Sequence, residues 1–152
     1  INNVMIDEAS GQAVGLIDLD TVKPGLIHYD IGDCLRSCCN PVGEETTNLD
    51  AVRFDMDLCE AILDGYLSVA GGFLSHWDIY YLPHCIRLIP FELGLRFLTD
   101  HMNGNRYFRC DRTNQNLERA AVQFQLTASI EAQMSALQDL IFKLKQQHVV
   151  SR

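Results

Sequence analysis

Several features that would assign this sequence to a common class of protein are missing. No apolar run reaches the roughly 20 residues that a membrane-spanning helix needs. Basic residues are few, since 12 Lys and Arg stand against 20 Asp and Glu, and the net charge of −8 argues against a surface that binds nucleic acid or anionic lipid. There is no internal repeat and no low-complexity tract. With 152 residues, of which 47% are hydrophobic, the composition favours one globular domain with a sizeable core.

Metal-binding patterns of cysteine and histidine are also missing. No C-x-x-C or H-x-x-x-H pair occurs, so we predict no zinc site and no histidine ligand. The segment from Cys39 to Gly43 lacks the arginine of a C-x-P-x-R sulfatase nucleophile motif. We expect reduced thiols on apolar helical faces, in a cytoplasmic protein, for all six cysteines: Cys34, Cys38, Cys39, Cys59, Cys85 and Cys110.

What is present begins with a hairpin pattern. Residues 4–6 and 13–19 are two apolar runs, and the segment between them contains Gly11, which tolerates the positive φ of a turn. Two such runs around a short loop predict a β-hairpin.

Three polar side chains lie at the open end of this predicted hairpin. Asn3 enters the first strand, while Asp18 and Asp20 leave the second. Because a hairpin brings its two ends together, we expect one amide and one or two carboxylates to converge there. Oxygen ligands of this kind suit Mg²⁺ rather than zinc.

The rest of the chain shows helical periodicity. The predicted helices cover residues 29–39, 54–70, 75–100 and 117–144. Gly71 and Gly72 end the second of them, and Ser75 with Asp78 resembles a capping box for the third. The sequence thus predicts a mainly α fold with a short N-terminal β-hairpin, the helical bundle spanning residues 29–147.

Two details of the later helices can be tested directly. Pro83 and Pro90 lie inside the third predicted helix, and we expect a kink or a short break near each, because proline removes a hydrogen-bond donor and clashes with the preceding turn. Asn116 is a candidate cap for a single long final helix.

Three motifs at the start of the chain resemble the aminoglycoside phosphotransferase/choline kinase superfamily, which shares the protein-kinase fold. Asn3-Val-Met-Ile-Asp looks like the end of a catalytic loop, and Ile17-Asp18-Leu19-Asp20 looks like the D-F-G equivalent. Tyr29-Asp30-Ile31-Gly32-Asp33 resembles the segment that follows the metal site. The resemblance implies the helical C-terminal lobe of a kinase, with ATP as co-substrate and Mg²⁺ held by Asn3, Asp18 and, more weakly, Asp20. If the sequence is aligned with the family's motif one residue differently, Asn2 takes the role of Asn3 as a metal ligand.

A narrower resemblance covers almost the whole chain. The blocks LIDLDTVKPGL…YDIGDCLR, RFLTDHMNGNRYF and NLERAAVQF are similar to the N-acetylhexosamine 1-kinase branch of that superfamily. This resemblance implies transfer of the γ-phosphoryl group of ATP to the anomeric hydroxyl of a sugar, with neither nucleic acid nor membrane as partner.

The same resemblance implies parts that this sequence does not contain. The catalytic Asp would be the third residue upstream of Ile1, and the Gly-rich loop and Lys would belong to an N-terminal ATP-binding lobe. We therefore expect residues 1–152 to be the C-terminal lobe of a longer kinase, with residues 1–20 as its metal-site hairpin, and to be inactive alone.

Further residues have a family role and an ordinary alternative. Asp30 begins a helix, where the dipole favours a carboxylate, but the resemblance implies a buried group that fixes the catalytic loop. Arg36, near Asp33, either forms an ion pair or reaches the substrate.

A charged stripe lies on the third predicted helix. Glu92, Arg96 and Asp100 recur every four residues among apolar neighbours, which indicates burial, although a solvated ion-pair stripe would have the same spacing. The resemblance implies that Arg96 and Tyr107 contact the sugar.

Two other functions remain open. Asp18-Leu-Asp20-Thr-Val after an apolar strand also resembles the first motif of haloacid dehalogenase-type phosphatases, but the further βα units of that fold are missing. A helical scaffolding module or a pseudokinase relic is the second alternative. The residue three positions upstream of Ile1 would distinguish these possibilities: an Asp there supports the kinase, and any other residue supports the relic.

Overall fold

The described part of the chain begins with a β-hairpin, and all of its helices come after that hairpin in the sequence. The computed structural model describes residues 3–20 and 22–149. Its elements are β1 (Val4–Ile6), β2 (Ala13–Leu16), α1 (Ile27–Cys38), a 3₁₀ helix (Leu49–Ala51), α2 (Met56–Ala70), α3 (His76–Met102), α4 (Gln115–Ala132) and α5 (Met134–Val149). The predicted mainly α fold with an N-terminal hairpin is confirmed. Within the described ranges, none of the helices has the length and apolar character needed to cross a membrane.

The hairpin is antiparallel and solvent-exposed, and its second strand is shorter than predicted. β2 ends at Leu16 rather than Leu19. The backbone N–H of Ile17 donates to the carbonyl oxygen of Asn3 at 3.0 Å, one step beyond the strand pair. Asp18 then takes a φ of 62°, which turns the chain away from an extended path. The backbone of Asp18, rather than the apolar pattern, decides where the strand stops.

The core forms around α3, which packs mainly against α1 and α4, while α5 packs against α2 and α3. The fully buried apolar side chains come from all five helices and include Leu35, Leu63, Leu67, Leu82, Ile86, Leu126, Ile130, Leu137 and Leu144. This arrangement leaves the hairpin outside the hydrophobic core.

The long helix α3 begins as predicted but is not broken where expected. The Ser75 hydroxyl accepts from the backbone N–H of Asp78 at 3.1 Å, and the Asp78 carboxylate accepts from the N–H of Ser75 at 2.7 Å, so the capping box is confirmed. Of the expected kink or short break near Pro83 and Pro90, the break is wrong, because α3 continues through both, and the kink stays a prediction. Both rings lie on the buried face, where packing against α1 and α4 supports the helix despite its lost hydrogen bonds.

The predicted single final helix is also wrong. It divides at Gln133, whose side-chain amide donates to the carbonyl oxygens of Phe54 and Ser129 at 3.0 and 3.1 Å. Asn116 is not its cap, since Asn114 holds that position and Asn116 is fully buried inside α4. The break depends on a residue 79 positions away, which local periodicity does not reveal.

Two glycines allow the α3–α4 packing to be tested. A Cβ added at Gly94 would lie 2.7 Å from the Phe124 ring and 3.2 Å from Cβ of Gln123, whereas Gly65 in α2 has open space around it. We expect Gly94→Ala to lower the free energy of unfolding by about 1–3 kcal/mol through overpacking. The matched change Gly65→Ala should raise it by about 0.5–1 kcal/mol through helix propensity. Urea unfolding of both variants measures this. Equal effects would contradict close packing at Gly94.

Candidate functional site

The first part of the candidate site lies at the open end of the hairpin. The side-chain amide nitrogen of Asn3 donates to Oδ2 of Asp18 at 3.2 Å, and both side chains are exposed. Asp18 holds a left-handed backbone conformation with φ of 62°, which is uncommon for residues other than glycine and often marks a functional position. The structure therefore brings together two of the three predicted metal ligands.

The residues present fit a magnesium ion bound together with phosphate. Mg²⁺ commonly uses one or two protein ligands and completes its octahedron with water and phosphate oxygens. A carboxylate beside an amide whose oxygen can turn toward it offers such a partial set. Asp20 is exposed, and in the described ranges no three His, Cys, Asp or Glu side chains form a metal-holding cluster. Asn2, the alternative to Asn3, lies outside the described residues.

The second part of the candidate site is a cavity of about 470 Å³ at the C-terminal end of α3. Arg96 and Tyr107 both line it, as predicted for a shared pocket. The Arg96 guanidinium lies 5.6 Å from the centre of the Tyr107 ring and 5.3 Å from that of Phe108, within the range of cation–π contacts. The Phe108 contribution was not predicted from the sequence. Hairpin residues line neither this cavity nor the one beside Arg36.

Burial of the whole charged stripe on α3 is a wrong expectation. The side chain of Arg96 is 46% exposed, and its nearest carboxylate is the exposed Glu92 at 3.7 Å. Only Asp100 is buried, and its partners are backbone N–H groups rather than Arg96. Arg96 therefore has an accessible guanidinium, which suits ligand binding better than a structural ion pair.

Asp100 holds the loop that carries Tyr107. Its carboxylate accepts from the backbone N–H groups of Arg106, Tyr107 and Phe108 at 2.9, 2.8 and 3.0 Å. It also accepts from the amide of Asn116 in α4 at 2.9 Å. Burial alone would raise the pKa of Asp100, but the three backbone hydrogen bonds outweigh it and hold that pKa below its usual value.

The sequence carried a signal for this role. Asp100 occupies the last turn of α3, where the helix dipole disfavours a carboxylate. A buried acid at such a position needs N–H donors, and the Asn103-Gly104-Asn105 turn that follows brings them back to it.

Arg36 belongs to a different place on the surface. It donates to Asp33 at 2.8 Å and to Glu44 at 3.2 Å, and its side chain is only 13% exposed. The predicted ion pair with Asp33 is thus present. Asp30 lies exposed in the first turn of α1, so burial of this carboxylate is not seen among the described residues.

Three of the six cysteines are unsuited to nucleophilic chemistry. All six carry free thiols. Burial raises the pKa of Cys34 to about 11 and also raises that of Cys85. A hydrogen bond with Cys59, together with burial, raises the pKa of Cys39. These three thiols stay protonated at neutral pH, which makes them poor nucleophiles.

A comparison with known protein families agrees with this geometry. Residues 1–71 match the model of the Phosphotransferase enzyme family, APH. The match covers the hairpin with Asn3 and Asp18, all of α1 and all of α2. It supports the aminoglycoside phosphotransferase and kinase-like superfamily, whose members generally use ATP and Mg²⁺, and it indicates kinase-type phosphotransferase chemistry.

Loss of the Asp100 carboxylate should loosen the loop at residues 106–108. In Asp100→Asn an NH₂ group replaces one acceptor oxygen and faces N–H donors, so we expect the melting temperature to fall by several degrees. Amide hydrogen exchange at residues 106–108 should become faster. Glu92→Gln, which neutralises an exposed carboxylate on the same helix, is the control and should leave both measurements unchanged. Unaltered exchange in Asp100→Asn would contradict the role of this carboxylate.

The same carboxylate predicts a pH dependence of stability. Because the folded-state pKa of Asp100 is lowered, its contribution is complete above the ordinary Asp value of about 3.9 and disappears as the pH falls through the folded-state value. The difference in unfolding free energy between wild type and Asp100→Asn should stay constant from pH 7 to about pH 5. It should narrow below about pH 4. Urea titrations across this range provide the measurement, and a gap that widens in acid would contradict the assignment.

Proposed function

We propose that this chain is part of an ATP-dependent kinase that phosphorylates the anomeric hydroxyl of an N-acetylhexosamine in the cytoplasm. The observation that carries the phosphotransferase part is the pairing of Asn3 with a left-handed Asp18 at the open end of the hairpin, inside the segment that matches the family. The sugar part rests on the accessible Arg96 guanidinium beside the Tyr107 and Phe108 rings.

In this proposal the hairpin holds the phosphate end of ATP. Asn3 and Asp18 would bind Mg²⁺ together with the phosphate oxygens, and Asp20 would complete the shell or contact its water. Bound Mg²⁺ would supply charge neutralisation for the developing phosphate charge. The group that accepts the hydroxyl proton is expected three residues upstream of Ile1, and Asp30 would orient the loop that carries it.

The α3 cavity would hold the acceptor. The Arg96 guanidinium offers rigid N–H donors to hydroxyl or acyl oxygens, and the Tyr107 ring offers an apolar face with a polar end. Cation–π contacts with Tyr107 and Phe108 also hold the guanidinium near both rings. Asp100 would act only indirectly, by fixing the loop on which both rings lie.

The metal role is tested by two carboxylates two residues apart. In the full-length protein we expect Asp18→Asn to lower kcat by several orders of magnitude, because a ligand of the phosphate-bound metal loses its charge. Asp20→Asn should have a milder effect. Steady-state ADP release with N-acetylglucosamine measures both, and thermal melts verify folding. A larger loss in Asp20→Asn would favour a phosphatase-like arrangement. No turnover in the wild-type protein would favour the relic or the scaffold.

The acceptor role is tested at the α3 cavity. Tyr107→Phe removes one hydroxyl and should weaken kcat/KM for the sugar by about two- to tenfold, the value of one neutral hydrogen bond. Arg96→Lys should weaken it further, because lysine lacks the planar fork of donors. Since both side chains are largely exposed, the melting temperature and the KM for ATP should not change. A fall in melting temperature with unchanged sugar kinetics would assign both residues to packing.

A further inference from the structure

The first turns of α3 and the middle of α5 expose a group of aromatic side chains, Trp77, Tyr80, Tyr81 and Phe142, which we call the α3/α5 face. On α3, Trp77, Tyr80 and Tyr81 are 61%, 53% and 49% exposed, and on α5 Phe142 is 61% exposed. The three rings of α3 contact one another, with centroid distances between 5.1 and 6.2 Å. Tryptophan, tyrosine and phenylalanine are enriched where proteins bind each other, so this face is a candidate contact surface.

A cavity of about 340 Å³ opens between the two helices at this face. The buried side chains of Ile79, Pro83 and Ile141 contribute to its lining, together with the exposed rings of Tyr80 and Phe142. An apolar cavity of about 150 Å³ already accepts benzene. The cavity at the α3/α5 face therefore has room for an aromatic side chain from outside.

Opposite charges flank Phe142 on α5. Asp139 lies three residues before it and Lys145 three residues after it, and both line the cavity. Steps of three residues keep side chains on the same side of a helix, and six residues span about 9 Å along its axis. The α5 part of the face therefore has an acidic end, an aromatic centre and a basic end.

Neither of these two charges has an ionic partner in the part of the chain that the structure describes. The ion pairs from α5 to α2 are made by Lys143 and His148 instead. The Lys145 ammonium approaches Nδ1 of His76 at 3.4 Å, and because an ammonium only donates, that nitrogen must be unprotonated and the ring neutral. The charge of Lys145 is thus available to a carboxylate from outside.

The α3 part of the face has a similar order. His76 and His84 lie four residues before and four residues after Tyr80, and all three side chains line the cavity. On both helices an aromatic ring is therefore flanked by polar groups at equal distances along the chain. Such a face has a natural centre at Tyr80 and Phe142.

We propose that the α3/α5 face binds a second copy of this chain about a two-fold axis near Phe142. A two-fold contact uses the same surface on both copies, so that surface must complement itself. Antiparallel α5 helices that cross at Phe142 place Asp139 of each copy opposite Lys145 of the other. The two ion pairs then flank the two Phe142 rings, which enter the cavities.

The charge of the whole chain favours this one orientation. Each copy has a net charge of −8, so two copies repel each other over most of their surfaces. Contact is favoured where Lys145 meets a carboxylate, and electrostatic complementarity of this kind sets the register of an interface. A second copy supplies the matching charges and the aromatic rings together.

Exchange of the two charges tests the arrangement. Lys145→Asp and Asp139→Lys each turn both ion pairs into like-charge contacts, and each should raise the dimer dissociation constant more than about tenfold. The double variant Asp139→Lys/Lys145→Asp restores opposite charges across the axis and should bring the constant back to within about threefold of wild type. Sedimentation equilibrium of the 152-residue chain at micromolar concentrations measures all four proteins.

Two controls match the changes in net charge. Arg109→Asp changes a side chain that is 93% exposed in the loop before α4, and Glu8→Lys changes an exposed side chain in the hairpin turn. Both should leave the dissociation constant as it is in wild type. Circular dichroism melts at low concentration verify that every variant is folded.

The aromatic centre is tested separately. Phe142→Ala removes the ring nearest the axis from both copies and should also raise the dissociation constant more than about tenfold. Met102→Ala, at a 78% exposed apolar residue at the other end of α3, is the control and should have no effect.

Three outcomes would overturn the proposal. The first is a wild-type chain that stays monomeric throughout the concentration range. The second is a folded double variant that does not recover the dimer lost in the single variants. The third is a dimer of the 152-residue chain that is absent from the full-length protein, which would assign the α3/α5 face to a contact within the longer chain. These measurements need neither ATP nor sugar, so they are independent of the proposed phosphotransferase activity.

Discussion

The carboxylate of Asp100 is the interaction on which the candidate acceptor site depends. It is buried at the end of α3, where the helix dipole opposes it, and four N–H donors from two other segments surround it. Three of the donors belong to the loop that carries Tyr107 and Phe108, and the fourth belongs to α4. One side chain thus determines where the aromatic loop lies relative to both Arg96 and the neighbouring helix.

The polar network continues from Asp100 along α4 toward the end of α1. Burial alone would raise the pKa of Glu45, but the hydrogen bonds from Gln115 and Arg119 outweigh it and lower that pKa. The network therefore holds Glu45 ionised and fixes the turn on which Glu44 lies. The close approach of α3 and α4 at Gly94 fixes the position of Gln123, because the Cβ of Gln123 lies against that glycine. Packing and polar contacts together position the groups that line the α3 cavity and the cavity beside Arg36.

The hairpin is held together differently from the helical part of the chain. Its side chains are mostly exposed, so its geometry depends on local backbone hydrogen bonds rather than on burial. The left-handed φ of Asp18 ends β2 and turns its carboxylate toward Asn3. The amide of Asn3 and the carboxylate of Asp18 are therefore both exposed to solvent.

The sequence by itself determined the features that depend on neighbouring residues. The hairpin, the capping box of Ser75 and Asp78 and the helix end at Gly71 follow from turn and cap chemistry over a few positions. Tertiary structure alone decided the rest: α3 continues through two prolines because other helices pack on it, and the final helix divides at Gln133 because Phe54 binds that side chain. For Asp100 the two contributions meet: the turn that follows α3 returns three N–H donors to it, whereas the contact with Asn116 of α4 is a property of the folded protein.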